Sequence, residues 1–331
     1  MVNEGTQLLS NSDVNELLSF GDCISAVEQA FRLHAEGNTL KTGLLHIDAP
    51  DGEFHIKAGG LKLDKTYFGL KANGGFFQNR ERFGMPNIQG MIVLCDGNNG
   101  FPLAIMDSVE ITRMRTGAAT AVAAKHLAKA DSQIVTVCGC GTQGRIQLLA
   151  LKHILPLTQV FAFGRDEVKT EKFAEQMADE LKIEVTPTTA IESAVASSDV
   201  VVTCTPSRIP FLMKHFVAPG TFIAAVGADS PDKRELEPIL AASGRIVPDI
   251  LEQCEKVGEL HHVIYNQLMT RSDIHGELGE IIAGTKPGRT SEKEIFIFDS
   301  TGTALQDVAA AAVVYEKALT KENPLFFNLS R

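Results

Sequence analysis

In the first part of the chain, apolar positions recur every three or four residues. Ile24, Val27, Phe31 and Ala35 fall on one helical stripe. The pattern predicts helices over 12–20 and 22–37, with Asp22 capping the second and Gly37 ending it. The period then shortens to two. Segments 44–48, 53–58, 68–73 and 89–95 read as strands between glycine-rich turns, and DGNNGF between MIVLC and PLAIM predicts a hairpin. Residues 38–107 are therefore expected to form a mostly antiparallel sheet. An alanine-rich helix follows over 108–130, its small side chains allowing close approach to a neighbour.

Beyond it, strands and helices alternate. Strands are expected at 133–138, 159–163, 184–187, 199–205, 221–227, 245–248 and 294–299. Helices fill 143–154, 167–181 and 191–197, and a last alanine-rich helix covers 303–320. Several of these strands are unbroken apolar runs, the mark of strands covered on both faces, and alternation with helices means a parallel sheet. The fold class is α/β, a doubly wound parallel sheet with a second, mostly antiparallel α+β part.

The stretch VTVCGCGTQG joins one such strand to the helix opened by Arg145. It carries Gly139, Gly141 and Gly144 as G-x-G-x-x-G, with Thr142 and Gln143 between the last two. In strand–turn–helix context the pattern points to a dinucleotide: a tight turn at Gly139, close approach of pyrophosphate at Gly141, and close helix–strand packing at Gly144. The helix N-terminus offers its unpaired N–H groups to the phosphates. The competing reading is a glycine turn without nucleotide. Twenty residues on, where an acidic residue would read the ribose, stands Gly164, followed by Arg165 and Asp166. Room at Gly164 and a guanidinium at Arg165 favour NADP(H), while Asp166 keeps NAD(H) open. A second loop, TCTPSRIPFL, sets Thr205 and Ser207 at a strand's carboxyl end, where they either meet the cofactor or form an ordinary turn.

Outside these loops, Lys71 interrupts an apolar strand and Arg115 lies in ITRMRTGAAT. Together they have the chemistry to clamp a carboxylate; either alone better suits a structural side chain reaching to solvent. Asp229 follows an apolar strand, with Lys233 four residues on, in position for acid–base work or as the cap of a helix begun by PDKREL. The formal net charge of −10 over 331 residues argues against a nucleic-acid partner. No apolar run approaches the ~18 residues of a membrane span, and the first residues do not read as a signal peptide. The six cysteines include only a C-x-C pair, and His261-His262 has no third ligand at suitable spacing, so no metal is expected. The thiols read as free in a reducing, cytoplasmic setting. No G-x-S-x-G supports a hydrolase.

GLKANGGFFQN, DSVEITRMRTGAATA, VTVCGCGTQGR, AAVGADSPDKREL, HGELGEIIAGTKPGRT and IFDSTGTALQDVAAA together resemble the ornithine cyclodeaminase/mu-crystallin family, from about residue 40 to 316. The resemblance implies a Rossmann dinucleotide-binding domain over 113–304. It implies a substrate-binding and dimerisation domain over 1–112, completed by 305–331. It also implies a homodimer acting on a small amino or imino acid. By that likeness Lys71 and Arg115 contact the substrate carboxylate, Asp229 is the acid/base, and Lys233 and Ser300 lie near the site. Three positions depart from ornithine cyclodeaminase: His55 replaces a glutamate, Asn87 a cofactor-facing threonine, and Gly164 the ribose-reading aspartate. The departures favour a cyclic ketimine reductase of the 1-pyrroline-2-carboxylate type. Ornithine cyclodeaminase, an alanine-dehydrogenase-like enzyme and a non-catalytic NADP-dependent binding protein are the alternatives.

Overall fold

A computed structural model describes residues 5–321 and 325–329. These divide into two compact units, 5–115 with 303–321 and 325–329, and 116–302. The chain begins with β1 (Thr6–Leu9), α1 (Asn11–Leu17) and α2 (Phe20–Ala35). Strands β2 (Thr39–Ala49), β3 (Gly52–Lys62) and β4 (Thr66–Gly75) follow. Then come α3 (Asn79–Phe83), β5 (Ile88–Asp96), β6 (Pro102–Asp107) and α4 (Val109–Leu127), which contains the unit boundary. The second unit runs β7 (Ile134–Cys138), α5 (Thr142–Ile154), β8 (Gln159–Phe163), α6 (Glu167–Leu181), β9 (Glu184–Thr188), α7 (Ile191–Ala196) and β10 (Val200–Thr203). It continues through β11 (Phe222–Ala225), α8 (Pro238–Ser243), β12 (Arg245–Pro248), α9 (Leu251–Cys254), α10 (Glu259–Tyr265), α11 (Leu278–Ile282) and β13 (Phe296–Asp299). Helix α12 (Ala304–Ala318) and β14 (Phe326–Phe327) return to the first unit.

The first unit's sheet has the order β14-β1-β6-β5-β4-β3-β2 and is antiparallel except where β1 runs parallel to β6. Strands β1 and β14 are too short to carry a readable alternation and do not emerge from the pattern. Strands β2, β3 and β4 run to 11, 11 and 10 residues, longer than their apolar alternation predicts. Glycines and buried lysines inside them break the pattern without breaking the ladder. The cap of α2 is Ser19 rather than Asp22: the Ser19 hydroxyl accepts the Asp22 N–H at 3.2 Å, and Asp22 occupies the third helical position. Helix α12 packs against α2 on one side and β3 and β4 on another. Ala309, Ala310, Ala311 and Ala312 are all buried, which is why its sequence shows no polar face.

The second unit's sheet has the order β12-β13-β11-β10-β7-β8-β9, every neighbouring pair parallel. The chain leaves β7 towards β8 and β9 and later returns to its other side at β10, so the strand order reverses at β7. Ligands of open α/β sheets bind outside the carboxyl ends of strands at such a reversal. Val201, Ile223, Ile297, Leu240 and Val263 share one core between the sheet and its helices. Gly117 lets α4 lie against α5: a Cβ there would stand 3.0 Å from the Ile146 carbonyl oxygen. Residues 231–237 form a turn and an extended segment, with Leu212 and Leu236 bridged, so PDKREL starts no helix.

Candidate functional site

In the first unit, the pleat puts His55 and Lys57 of β3 and Asn73 and Lys71 of β4 on one face, paired His55 to Asn73 and Lys57 to Lys71. Lys71 Nζ lies 2.8 Å from Asp307 Oδ2 and donates to its Oδ1 at 2.9 Å. Arg115, from α4, places Nε 3.0 Å from Asp307 Oδ1 and donates through Nη1 to Gln306 Oε1 at 2.9 Å. All three charged side chains are nearly inaccessible, at 4% for Lys71, 3% for Asp307 and 7% for Arg115. Burial pushes the Lys71 ammonium down to about 7, against the pull of Asp307. Burial also penalises the Asp307 carboxylate, but Lys71 and Arg115 outweigh it and hold that carboxyl below its ordinary value. Two cations thus share one carboxylate in a dry setting, a charge imbalance that suits a second, incoming carboxylate.

Around them, Lys71 Nζ also reaches Thr112 Oγ1 at 3.3 Å, and Ser108 Oγ donates to Asn73 Oδ1 at 2.6 Å. His55 is engaged elsewhere, with Nε2 3.1 Å from Glu53 Oε1 and its ring edge-on to His46. Asn87 closes the turn after β4: its side chain accepts the Arg80 N–H at 3.0 Å and its carbonyl accepts the Phe76 N–H at 2.8 Å. Asp307 and Gln306 escape the sequence reading. The one available signal was two polar residues, ALQD, in an otherwise alanine-rich helix.

In the second unit, the glycine loop leaves β7 and enters α5. Gly139 has φ of +120°, and a Cβ there would meet the Cys204 carbonyl oxygen at 2.9 Å. A Cβ on Gly144 would stand 2.1 Å from the Gly139 carbonyl oxygen, so the helix starts directly over the turn. Gly141, the N-cap of α5, has nothing within 4 Å of its Cβ position. Thr142 opens the helix, and Gln143 keeps Oε1 buried without a hydrogen-bond partner. These features fit a dinucleotide: open space at the backbone, N–H groups of a 13-residue helix, and a buried acceptor with nothing to accept.

At the end of β8 the reason for glycine differs from the expected one. A Cβ on Gly164 would lie 2.3 Å from Thr170 Oγ1, so the residue accommodates a close side chain rather than leaving empty room. Asp166 caps α6, accepting the Lys169 N–H at 3.1 Å, and Arg165 is exposed beside it. Thr205 N and Oγ1 both donate to Glu235 Oε1, at 2.6 and 2.7 Å. Ser207 Oγ donates to the Ile209 carbonyl at 2.7 Å. Ser300 is buried, its N–H donating to the Ala225 carbonyl at 2.9 Å. Asp229 is 44% accessible and pairs with Lys233 Nζ at 2.6 Å. With no helix at PDKREL, it caps nothing there.

Four buried carboxylates brace the loops at this sheet edge. Glu235 accepts from the Thr205 loop and, through Oε2, from Gly227 N at 2.9 Å, two residues before Asp229. Glu259 accepts from Glu235 N at 2.7 Å, and Asp299 accepts from Glu259 N at 3.1 Å and Leu260 N at 2.8 Å. Asp249 accepts from Gly302 N at 2.7 Å and from Thr301 Oγ1 at 2.9 Å. Burial raises all four, Glu235 and Asp299 each to about 7. His262 is buried; its Nε2 lies 2.9 Å from the Lys233 carbonyl, and burial lowers its pKa. This bracing is not legible in the sequence: Asp249 and Asp299 merely close apolar strands, Glu235 lies in the loop after Asp229, and Glu259 opens α10. The cysteines are free.

The ornithine cyclodeaminase/mu-crystallin family profile matches residues 4–322. An alanine dehydrogenase of Archaeoglobus fulgidus is 38% identical over 317 residues, covering 96% of either chain. Among solved structures, an archaeal alanine dehydrogenase dimer with bound NAD matches at TM-score 0.92 and 37% identity, over 98% of this chain and 99% of that one. The Thermococcus litoralis Delta(1)-pyrroline-2-carboxylate reductase with NADH and L-proline matches at TM-score 0.89 and 32% identity, over 95% and 98%.

Proposed function

Because the chain belongs to the ornithine cyclodeaminase/mu-crystallin family, we propose that it is an NAD(P)(H)-dependent oxidoreductase that reduces the carbon–nitrogen bond of a cyclic ketimine acid of the 1-pyrroline-2-carboxylate type. The observation that carries the substrate class is the buried Lys71–Asp307–Arg115 group, which has one more cation than anion when Lys71 is protonated. Lys71 and Arg115 receive the α-carboxylate and fix the orientation of the neighbouring carbon. The added negative charge raises the proton affinity of Lys71, so binding above about pH 7 draws in a proton. Asp229, held by Lys233, exchanges a proton with the substrate nitrogen as general acid/base. The nicotinamide, when bound through residues 139–144, supplies the hydride.

The 2′-phosphate reading of Arg165 follows from its exposure and from the use of Asp166 as a helix cap. NADP(H) is therefore the cofactor we favour, and replacing Arg165 with alanine should shift preference towards NADH. The solved relatives carrying NAD or NADH favour the other cofactor and make this ratio worth measuring. A homodimer fits the apolar side chains of Leu44, Leu45, Ile47 and Phe54 that β2 and β3 leave exposed.

A second reading, an amino acid dehydrogenase, draws on the identity to the Archaeoglobus alanine dehydrogenase. One panel separates them: oxidation of NADPH and NADH followed with five- and six-membered cyclic ketimines, with pyruvate plus ammonia, and with ornithine while ammonia is assayed. Turnover only with pyruvate plus ammonia selects the dehydrogenase, and ammonia from ornithine without net cofactor change selects the cyclodeaminase. Absence of turnover with every substrate leaves a binding protein and refutes the reductase.

A further inference from the structure

We propose that the β2–β3 hairpin carries a site for one divalent transition-metal ion of borderline softness, of the zinc class, with His46, Glu53 and His55 as ligands and Asp48 beside them. The hairpin closes through a two-residue connection, since Ala49 pairs with Gly52. That register sets His46 directly opposite His55 and Asp48 directly opposite Glu53. Residues two apart on a strand share a face, so all four side chains project from the same side of the ribbon. One ligand atom from each of His46, Glu53 and His55 lies within 4.8 Å of the others. His55 Nε2 is 3.1 Å from Glu53 Oε1, His46 Nε2 is 3.7 Å from Glu53 Oε2, and His46 Nε2 is 3.1 Å from Asp48 Oδ1. Tetrahedral zinc, with bonds of about 2.0–2.2 Å, separates its ligand atoms by roughly 3.4 Å. The observed separations bracket that value.

Two further features favour a cation over a plain hydrogen-bonded cluster. Asp48 and Glu53 face one another across the ladder, and like charges directly opposite are destabilising. The two imidazole rings meet at a centroid distance of 4.6 Å with both Nε2 atoms turned to carboxylates, so each ring places a nitrogen donor beside an anion. Imidazole nitrogen with carboxylate oxygen selects zinc and its late first-row neighbours and disfavours magnesium, which prefers oxygen ligands alone. The side chains are partly accessible, 38% for His46, 20% for His55 and 27% for Glu53, so an ion can enter without unfolding. The function argued from this position is a clamp on the longest hairpin of the sheet, whose strand β3 also carries Lys57. Unlike the Cys138/Cys140 and His261/His262 pairs, this group is not apparent along the sequence. H-I-D and E-F-H lie on separate strands, and only the hairpin register makes them neighbours.

The test is calorimetric titration of the full-length protein with ZnCl2, and with MgCl2 in parallel, after exhaustive chelation. Saturable uptake of one Zn2+ per chain and none of Mg2+ is expected. In His46→Ala and His55→Ala, affinity should fall by at least ~10–100-fold, the loss already caused by disturbing residues outside the ligand set. Far-ultraviolet circular dichroism checks that the variants fold. Should they not, protection in the wild-type chain decides: Zn2+ should shield His46 and His55, but not His153, from diethylpyrocarbonate as read by peptide mass spectrometry. No saturable uptake, titration of folded variants like wild type, or unshielded His46 and His55 each overturns the site.

Discussion

Replacing Asp307 with asparagine removes the one carboxylate that Lys71 and Arg115 share while keeping the side chain's shape. The pairs stand at 2.8 and 3.0 Å, so each is worth roughly 5–6 kcal/mol gross at an effective dielectric of ~20. The net effect is smaller, because desolvation has already cancelled much of that attraction. Removing one partner of a buried pair typically costs about 3–5 kcal/mol through the charge left behind. Asp307→Asn leaves two such charges, but only Lys71 can discard its own. Its pKa in the fold is about 7, below the ordinary lysine value of 10.5, so between those values the unfolded chain binds more protons and stability rises with pH. Without Asp307 the folded-state value drops further and the window widens on its acid side. The loss relative to wild type should therefore be near 5 kcal/mol at about pH 5.5 and nearer 3 kcal/mol at about pH 8.5. Urea denaturation of wild type and Asp307→Asn at both pH values measures it, and the subtraction removes the titration of all other groups. A loss under about 1 kcal/mol at both would mean that the group does not hold two desolvated cations, and the carboxylate-receptor argument would fail with it.

Other consequences are open to measurement. Arg115→Lys keeps the charge but loses the Nη1 bond to Gln306, so kcat/KM should fall by about 10-fold or more, mainly through KM; unchanged kinetics would exclude Arg115 from carboxylate binding. Gly144→Ala drives a methyl group to 2.1 Å from the Gly139 carbonyl oxygen, so nucleotide affinity should collapse, as judged by quenching of reduced-nicotinamide fluorescence. Glu235→Gln sets an amide NH2 against a backbone N–H of Thr205 or Gly227; it should cost about 1–3 kcal/mol and lower kcat by loosening the Asp229 loop. Glu235 and Asp299 hold protons up to about pH 7 in the fold, against ordinary values of 4.5 and 3.8. These two therefore make stability fall as pH rises through that window, and the slope of the urea midpoint should flatten in Asp299→Asn.

The order of apolar and polar residues determined the local units: the alternation of βα elements from residue 133 onward, the strand–turn–helix around Gly139, Gly141 and Gly144, and the hairpin at DGNNGF. Those signals survive in one dimension because periodicity and turn chemistry act between residues near in sequence. Lys71 and Arg115 stood out as cations in apolar settings. What neutralises them did not, because Asp307 lies 236 positions from Lys71 and meets it only when α12 folds back onto β4. The same holds for the buried carboxylates Glu235, Asp249, Glu259 and Asp299 and for His46 opposite His55: register and the placement of helices and loops bring each set together. Burial then raises or lowers the charge of each group, and a sequence alone does not say how deep a residue will lie.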